Sequence, residues 1–145
     1  MRTNELAKAL NWNVHTRSVF GGVFARDRAS ITKKKEKNVA FIVNTDPSTK
    51  SGEHWVAFYF TPEEVFYFDS YGNPPQHKRF ATLMKKRKKA SFFHQRLQGS
   101  GETCGEYCLY FILAMQGHAN MKVFGNELNS NDRYVKKFVH REFHC

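Results

Sequence analysis

Apolar residues fall along this chain in two rhythms. Leu6 and Leu10 stand four apart in a polar opening segment, the spacing of one helix face. With Thr3 as a cap, this predicts a short helix from Asn4 to Asn11. Val14 to Ser30 has no sustained rhythm, is broken at Gly21-Gly22 and reads as irregular. Val39 to Val43 is apolar at every position, as expected of a central strand covered on both faces. Glu53 to Phe60 and Val65 to Ser70 are aromatic and β-branched and read as two more strands. Thr61-Pro62-Glu63-Glu64 joins them, and Gly72-Asn73-Pro74-Pro75 ends the hairpin. His77 to Lys89 is predicted as a helix with a basic end, and Ser91 to Leu97 as another strand. Gln98 to Glu102 is a loop, and Thr103 to Gln116 a helix. That helix is apolar nearly all round from Cys108 to Met115, so it should be buried. A last helix from about Asn131 to Phe143 carries Tyr134, Val135, Phe138 and Val139 on one face. The order predicts an α+β fold, a mainly antiparallel sheet packed with helices, whose central buried helix carries Cys104. With no repeat or long linker in 145 residues, one domain spanning 1–145 is expected.

The hairpin brings two chemical groups together. Pro62 fixes φ near −65° and disfavours a two-residue primed turn, which would set His54 directly opposite Asp69. A four-residue loop makes them diagonal neighbours. In both registers they share a face, within reach of a His–carboxylate hydrogen bond. The start of the buried helix brings a third. With Thr103 as N-cap and Glu106 three residues on, a capping box leaves Cys104 as the first helical residue, where the helix dipole favours a thiolate. Gly99 and Gly101 allow close backbone approach there. A Cys nucleophile needs a base, the base needs an orienting group, and a developing oxyanion needs donors. Cys104, His54 and Asp69 are the right types for the first three tasks; the Cys104 N–H and the Gln98 side-chain amide suit the fourth.

Charge adds a partner to this picture. Lys and Arg number 23 against 13 Asp and Glu, a formal +10, while 41% hydrophobic and 15% aromatic residues exclude a generally disordered chain. The basic residues cluster at Lys33, Lys34, Lys35 and Lys37, at Lys85, Lys86, Arg87, Lys88 and Lys89 with Lys78 and Arg79 upstream, and at Arg133, Lys136, Lys137 and Arg141. Such clusters suit sequence-independent contact with DNA phosphates; a solvated face and, for Lys85 to Lys89, a nuclear import signal are the other readings. No apolar run approaches the roughly 20 residues of a membrane span, and no signal-peptide stretch opens the chain. Three Cys point to a reducing compartment. Cys104-x3-Cys108 with His140-x3-His144 mimics a zinc pattern, but the gap between the pairs is too long for a compact finger, so no metal is expected. Cys108 is expected in the core and Cys145 exposed.

Phe41-Ile42-Val43-Asn44-Thr45, Gly52-Glu53-His54-Trp55-Val56-Ala57-Phe58, Phe68-Asp69-Ser70-Tyr71-Gly72, and Gln98 ahead of Cys104-Gly105-Glu106-Tyr107-Cys108 together resemble the adenovirus maturation protease (adenain). More broadly they resemble the clan that includes the SUMO-specific Ulp proteases. The resemblance covers Val39 to Met115. It implies a cysteine endopeptidase with His54 as general base, Asp69 orienting it, Cys104 as nucleophile, Gln98 in the oxyanion hole and Trp55 walling the substrate site; for Trp55 a core position is the equal alternative. It implies viral precursor proteins as substrates during virion maturation, DNA as a stimulating cofactor, and a monomer in the host nucleus or virion. The adenovirus enzymes carry Glu where this chain has Asp69, and the Ulp branch carries Asp, so the role survives. The adenovirus enzyme also binds an activating peptide by a disulfide to a Cys between acid and Gln. No Cys lies between Asp69 and Cys104, so a peptide cofactor here would not be disulfide-linked. The alternatives are a Ulp-like deSUMOylating or deubiquitinating protease and a non-catalytic basic DNA-binding module.

Overall fold

The computed structural model describes residues 1–31, 36–46, 54–99 and 101–144. The expected basic loop at Lys33, Lys34 and Lys35, and the terminal Cys145, lie outside them. The helices are α1 (Thr3–Trp12), α2 (Lys78–Met84), α3 (Cys104–Met115) and α4 (Leu128–Phe143), and the strands β1 (Phe20–Phe24), β2 (Val39–Asn44), β3 (Trp55–Phe60), β4 (Glu64–Phe68) and β5 (Lys89–Phe92). The strands form one five-stranded sheet in sequence order, with β2–β3–β4 an antiparallel meander and β1 and β5 joining its edges in parallel. The fold is α+β, with helices covering both faces of the sheet.

Alternation along the central strands decides what each face meets. Ala40, Ile42, Ala57, Tyr59 and Phe68 point to one side, where α1, α3 and α4 build the larger core. Val39, Phe41, Val43, Val56, Phe58, Phe60, Val65 and Tyr67 point to the other and pack with Phe80 and Leu83 of α2. Every residue of β2 and β3 is buried, the outcome expected of an uninterrupted apolar run. Helix α3 lies across the larger core with every residue from Cys104 to Leu113 buried. On α4 the buried stripe is Asn131, Val135, Val139 and Phe143, at four-residue intervals; Tyr134, expected on that stripe, is 40% exposed.

The edges are where sequence rhythm misleads. β1 was hidden by Gly21-Gly22. Its ladder is irregular between Phe20 and Gly22, and a Cβ at Gly21 would lie 2.6 Å from Val39, so glycine there permits a close-packed irregular edge rather than breaking the strand. The helix expected to Lys89 stops at Met84. The basic run turns and enters β5, which starts at Lys89 instead of Ser91. Lysines on an edge strand oppose pairing with another chain. Arg87 is committed locally: Nε donates to the Thr61 carbonyl at 2.7 Å and the guanidinium covers the Phe60 ring.

Candidate active site

The β3–β4 ladder pairs Phe60 with Val65 and Ala57 with Phe68, leaving residues 61–64 outside it, with Glu64 pairing only on the β5 side. That register makes Asp69 the diagonal neighbour of His54, each just beyond the end of its strand. His54 Nε2 lies 2.7 Å from Asp69 Oδ1, and the two side chains are 15% and 7% exposed. The same Asp69 oxygen accepts the Tyr71 N–H at 2.9 Å, and the Tyr71 ring stacks on the His54 ring with centroids 4.8 Å apart. Gly72, at φ +77, completes this turn; a Cβ there would lie 2.6 Å from the His94 carbonyl.

Cys104 opens α3 and hydrogen-bonds the His54 ring. With Nε2 on Asp69, Nδ1 is the ring nitrogen left for sulfur. Burial alone would raise the Cys104 pKa. The hydrogen bond to His54, the Trp55 N–H, the His54 charge and the Gly105 N–H outweigh it and bring the pKa below that of an ordinary thiol. Burial likewise pulls His54 down, but the hydrogen bonds to Asp69 and Cys104 and their charges win and raise it to about 9. The two shifts favour a thiolate–imidazolium pair, the reactive form of a cysteine nucleophile with its acid in place.

Gln98 is fully buried, and its amide is oriented by a residue that sequence reasoning passed over: the Ser70 hydroxyl donates to Gln98 Oε1 at 2.5 Å. The Leu97 and Gln98 N–H groups both donate to the Ser70 carbonyl. Asp69, Ser70 and Tyr71 are thus consecutive residues of which the first and third hold His54 and the second holds Gln98. The other missed residue is Asp132 on α4. Its carboxylate accepts the Gly99 N–H at 3.1 Å, the Thr103 hydroxyl at 3.3 Å and the Tyr107 hydroxyl at 2.6 Å. Arg96 closes the loop by donating from Nε to the Gln98 carbonyl at 2.9 Å. A Cβ at Gly99 would sit 3.1 Å from Asp132, so glycine here permits the close approach to α4; at Gly101 a Cβ would meet nothing within 4 Å, and the close approach expected there is absent.

Another expectation changes. Thr103 precedes α3 with its hydroxyl donating to Asp132 and makes no side-chain cap, and among the described residues Glu106 Oε1 has no hydrogen-bond partner, so the capping box does not form. Burial raises the Glu106 pKa accordingly. Trp55 is buried in the larger core, where its Nε1–H donates to the Met1 carbonyl at 2.9 Å. Its backbone N–H faces the thiol, and its indole holds the N-terminus. Of the basic cluster, Lys85, Lys86, Lys88 and Lys89 are exposed and stand apart from this site, with Arg87 turned onto the hairpin.

A five-stranded mixed sheet packed with helices, one of them buried and starting at a cysteine, matches the Ulp/adenain-like protease fold. Among solved structures, the ASFV pS273R protease matches with a TM-score of 0.57 and 25% identity over 73% of this chain and 44% of its own. The SUMO protease Ulp1, with its catalytic cysteine oxidized to a sulfenic acid, matches with a TM-score of 0.51 and 13% identity over 98% and 74%. The chain thus spans less than half the length of the ASFV protease. By sequence, it matches no family profile and no curated protein.

Proposed function

We propose that this chain is a cysteine endopeptidase domain, residues 1–145, that cleaves precursor proteins during virion maturation. The observation that carries the catalytic reading is the Cys104–His54–Asp69 line, with the Cys104 pKa lowered and that of His54 raised to about 9. In this reading the Cys104 thiolate attacks the scissile carbonyl. The Cys104 N–H and the Gln98 amide donate to the oxyanion. The His54 imidazolium protonates the leaving amine, and Asp69 keeps the ring oriented. Water, deprotonated by His54, then releases the acyl group from sulfur. No step calls for a metal. The likeness to the ASFV protease supports a viral precursor over a ubiquitin-like tail as substrate.

DNA enters as an accessory partner that holds the protease near its substrates through phosphate contacts. The surface for it is the exposed Lys85, Lys86, Lys88 and Lys89 together with Arg133, Lys136, Lys137 and Arg141 on α4. Incubation of purified protein and its Cys104→Ala form with capsid precursor tests the reading. Cleavage by the first alone, faster with DNA at low salt, is expected; equal cleavage by both refutes it. Covalent capture by a ubiquitin or SUMO C-terminal electrophile in place of precursor cleavage would move the substrate to the ubiquitin-like class.

A further inference from the structure

The His54–Asp69 pair borders a second space. A cavity of about 500 Å³ is lined by both residues and by Arg26, Tyr67, Gln76, His77 and Phe80, whereas neither Cys104 nor Gln98 contributes to its wall. It therefore lies on the side of the His54 ring away from the thiol. The chemistry of the proposed reaction gives that side a meaning. The leaving amine takes its proton from His54, so the substrate segment beyond the scissile bond must pass that ring.

The walls select what such a segment can present. Arg26 follows β1 and is held by its backbone: its N–H donates to the Asp46 carbonyl at 3.0 Å and its Nη1 to the Thr45 carbonyl at 3.0 Å. Among the described residues it has no carboxylate partner, so the rest of its fork is available. His77 accepts the Arg79 N–H on Nδ1 at 3.0 Å, which in the neutral ring leaves the proton on Nε2 as a further donor. Arg26 and Lys78 and, above all, burial lower the His77 pKa, keeping that ring neutral. Tyr67 and Phe80, with centroids 5.9 Å apart, supply an apolar wall. Phosphate would set two negative charges beside the buried Asp69 carboxylate and leave the aromatic wall without a partner. A singly charged carboxylate on a short methylene stem uses both features.

We propose that this cavity is a leaving-side subsite for an acidic side chain of the substrate, carboxylate on Arg26 and methylenes against Tyr67 and Phe80. The proposal rests on the endopeptidase reading of the same site, and its test separates the two. Quenched-fluorescence peptides with glycine, the sterically least demanding residue, before the scissile bond, and Glu, Gln or Lys at each of the first three positions after it, are compared by kcat/KM. At one of those positions Glu is expected to exceed Lys by about tenfold, roughly the effect of one charge-assisted contact. Arg26→Lys keeps the order, Arg26→Gln collapses the ratio toward one, and Arg26→Glu inverts it; a ratio that stays unchanged in Arg26→Gln overturns the subsite. Anisotropy of the labelled leaving-side peptides on Cys104→Ala protein supplies a readout without cleavage. Glu-selective, Arg26-dependent binding with no peptide cut by intact protein would retain the cavity and refute the endopeptidase. Cleavage indifferent to Glu or Lys would do the reverse, and the absence of both overturns both.

Discussion

Helix α3 carries two thiols one turn apart, and they behave oppositely. Cys104 and Cys108 are both reduced and both buried. Burial raises both, and for Cys108, fully enclosed, the nearby charges of Cys104, Asp69 and Glu106 raise it further. Cys104 escapes only because His54 and the N–H groups of Trp55 and Gly105 converge on it. Burial alone would leave both thiols protonated. His54 and Trp55, at the start of β3, together with one N–H of the helix itself, reverse the sign for Cys104.

The largest expected effect breaks this comparison at its first member. Cys104→Ala should lower kcat/KM by about 10³-fold or more, as loss of a covalent nucleophile does, whereas Cys108→Ala should leave it within about twofold. Comparable losses in both would place the chemistry elsewhere on the helix. In the Cys104→Ala protein the His54 pKa, followed by NMR, should fall from about 9, because two of the contributions that raise it come from Cys104. The value stays in place only if Asp69 alone sets it.

The second effect tests the oxyanion side. Ser70→Ala removes one hydrogen bond from the Gln98 amide, and Asp132→Asn weakens three hydrogen bonds on the loop that presents Gln98 and Cys104. Each should reduce kcat by about ten- to a hundredfold with little change in KM, since oxyanion contacts form in the transition state. A rise in KM at constant kcat would make these residues part of substrate binding instead.

These residues also mark where the sequence stops being legible. His54 and Asp69 could be paired from the sequence because a hairpin converts chain spacing into spatial neighbourhood, and either register allowed by the loop puts them on one face. Cys104 could be found because a buried apolar helix announces its own start. Ser70 and Asp132 could not. Ser70 is one more small polar residue beside an acid, and Asp132 approaches from α4 through three-dimensional packing that leaves no periodic trace. Asp132 both flanks Gly99 and takes the Thr103 hydroxyl. β1 escaped, and β5 was expected to start at Ser91 rather than Lys89, for a different reason: parallel edge pairing requires no turn signal, and Gly21 and Lys89 read as breakers out of context.

A smaller effect concerns rate against pH. Iodoacetamide reacts with thiolates, so alkylation of Cys104 should begin below the range of an ordinary thiol and rise with pH through its lowered pKa. Turnover also requires the His54 proton and should therefore decline as pH passes about 9, giving a bell where alkylation gives a plateau. In His54→Ala the hydrogen bond and charge that lower the thiol are gone, so the alkylation curve should move to higher pH. A curve that does not move would assign the lowered pKa to the helix terminus and backbone N–H groups alone.

The smallest effect is on stability and belongs to Cys108. Its thiol sits in the larger core among groups that keep it protonated, and it behaves as a small apolar side chain. Cys108→Ala leaves a small void and should cost about 1 kcal/mol in urea unfolding. Cys108→Ser keeps the volume but buries a hydroxyl in place of a thiol and should cost more, about 1–3 kcal/mol. The order Ser worse than Ala is the diagnostic, because only a dry, apolar surrounding produces it. If Ser were the milder change, a polar partner would be reaching Cys108. Native protein should also resist alkylation at Cys108 until it unfolds, while Cys104, one turn away and nearly as buried, reacts.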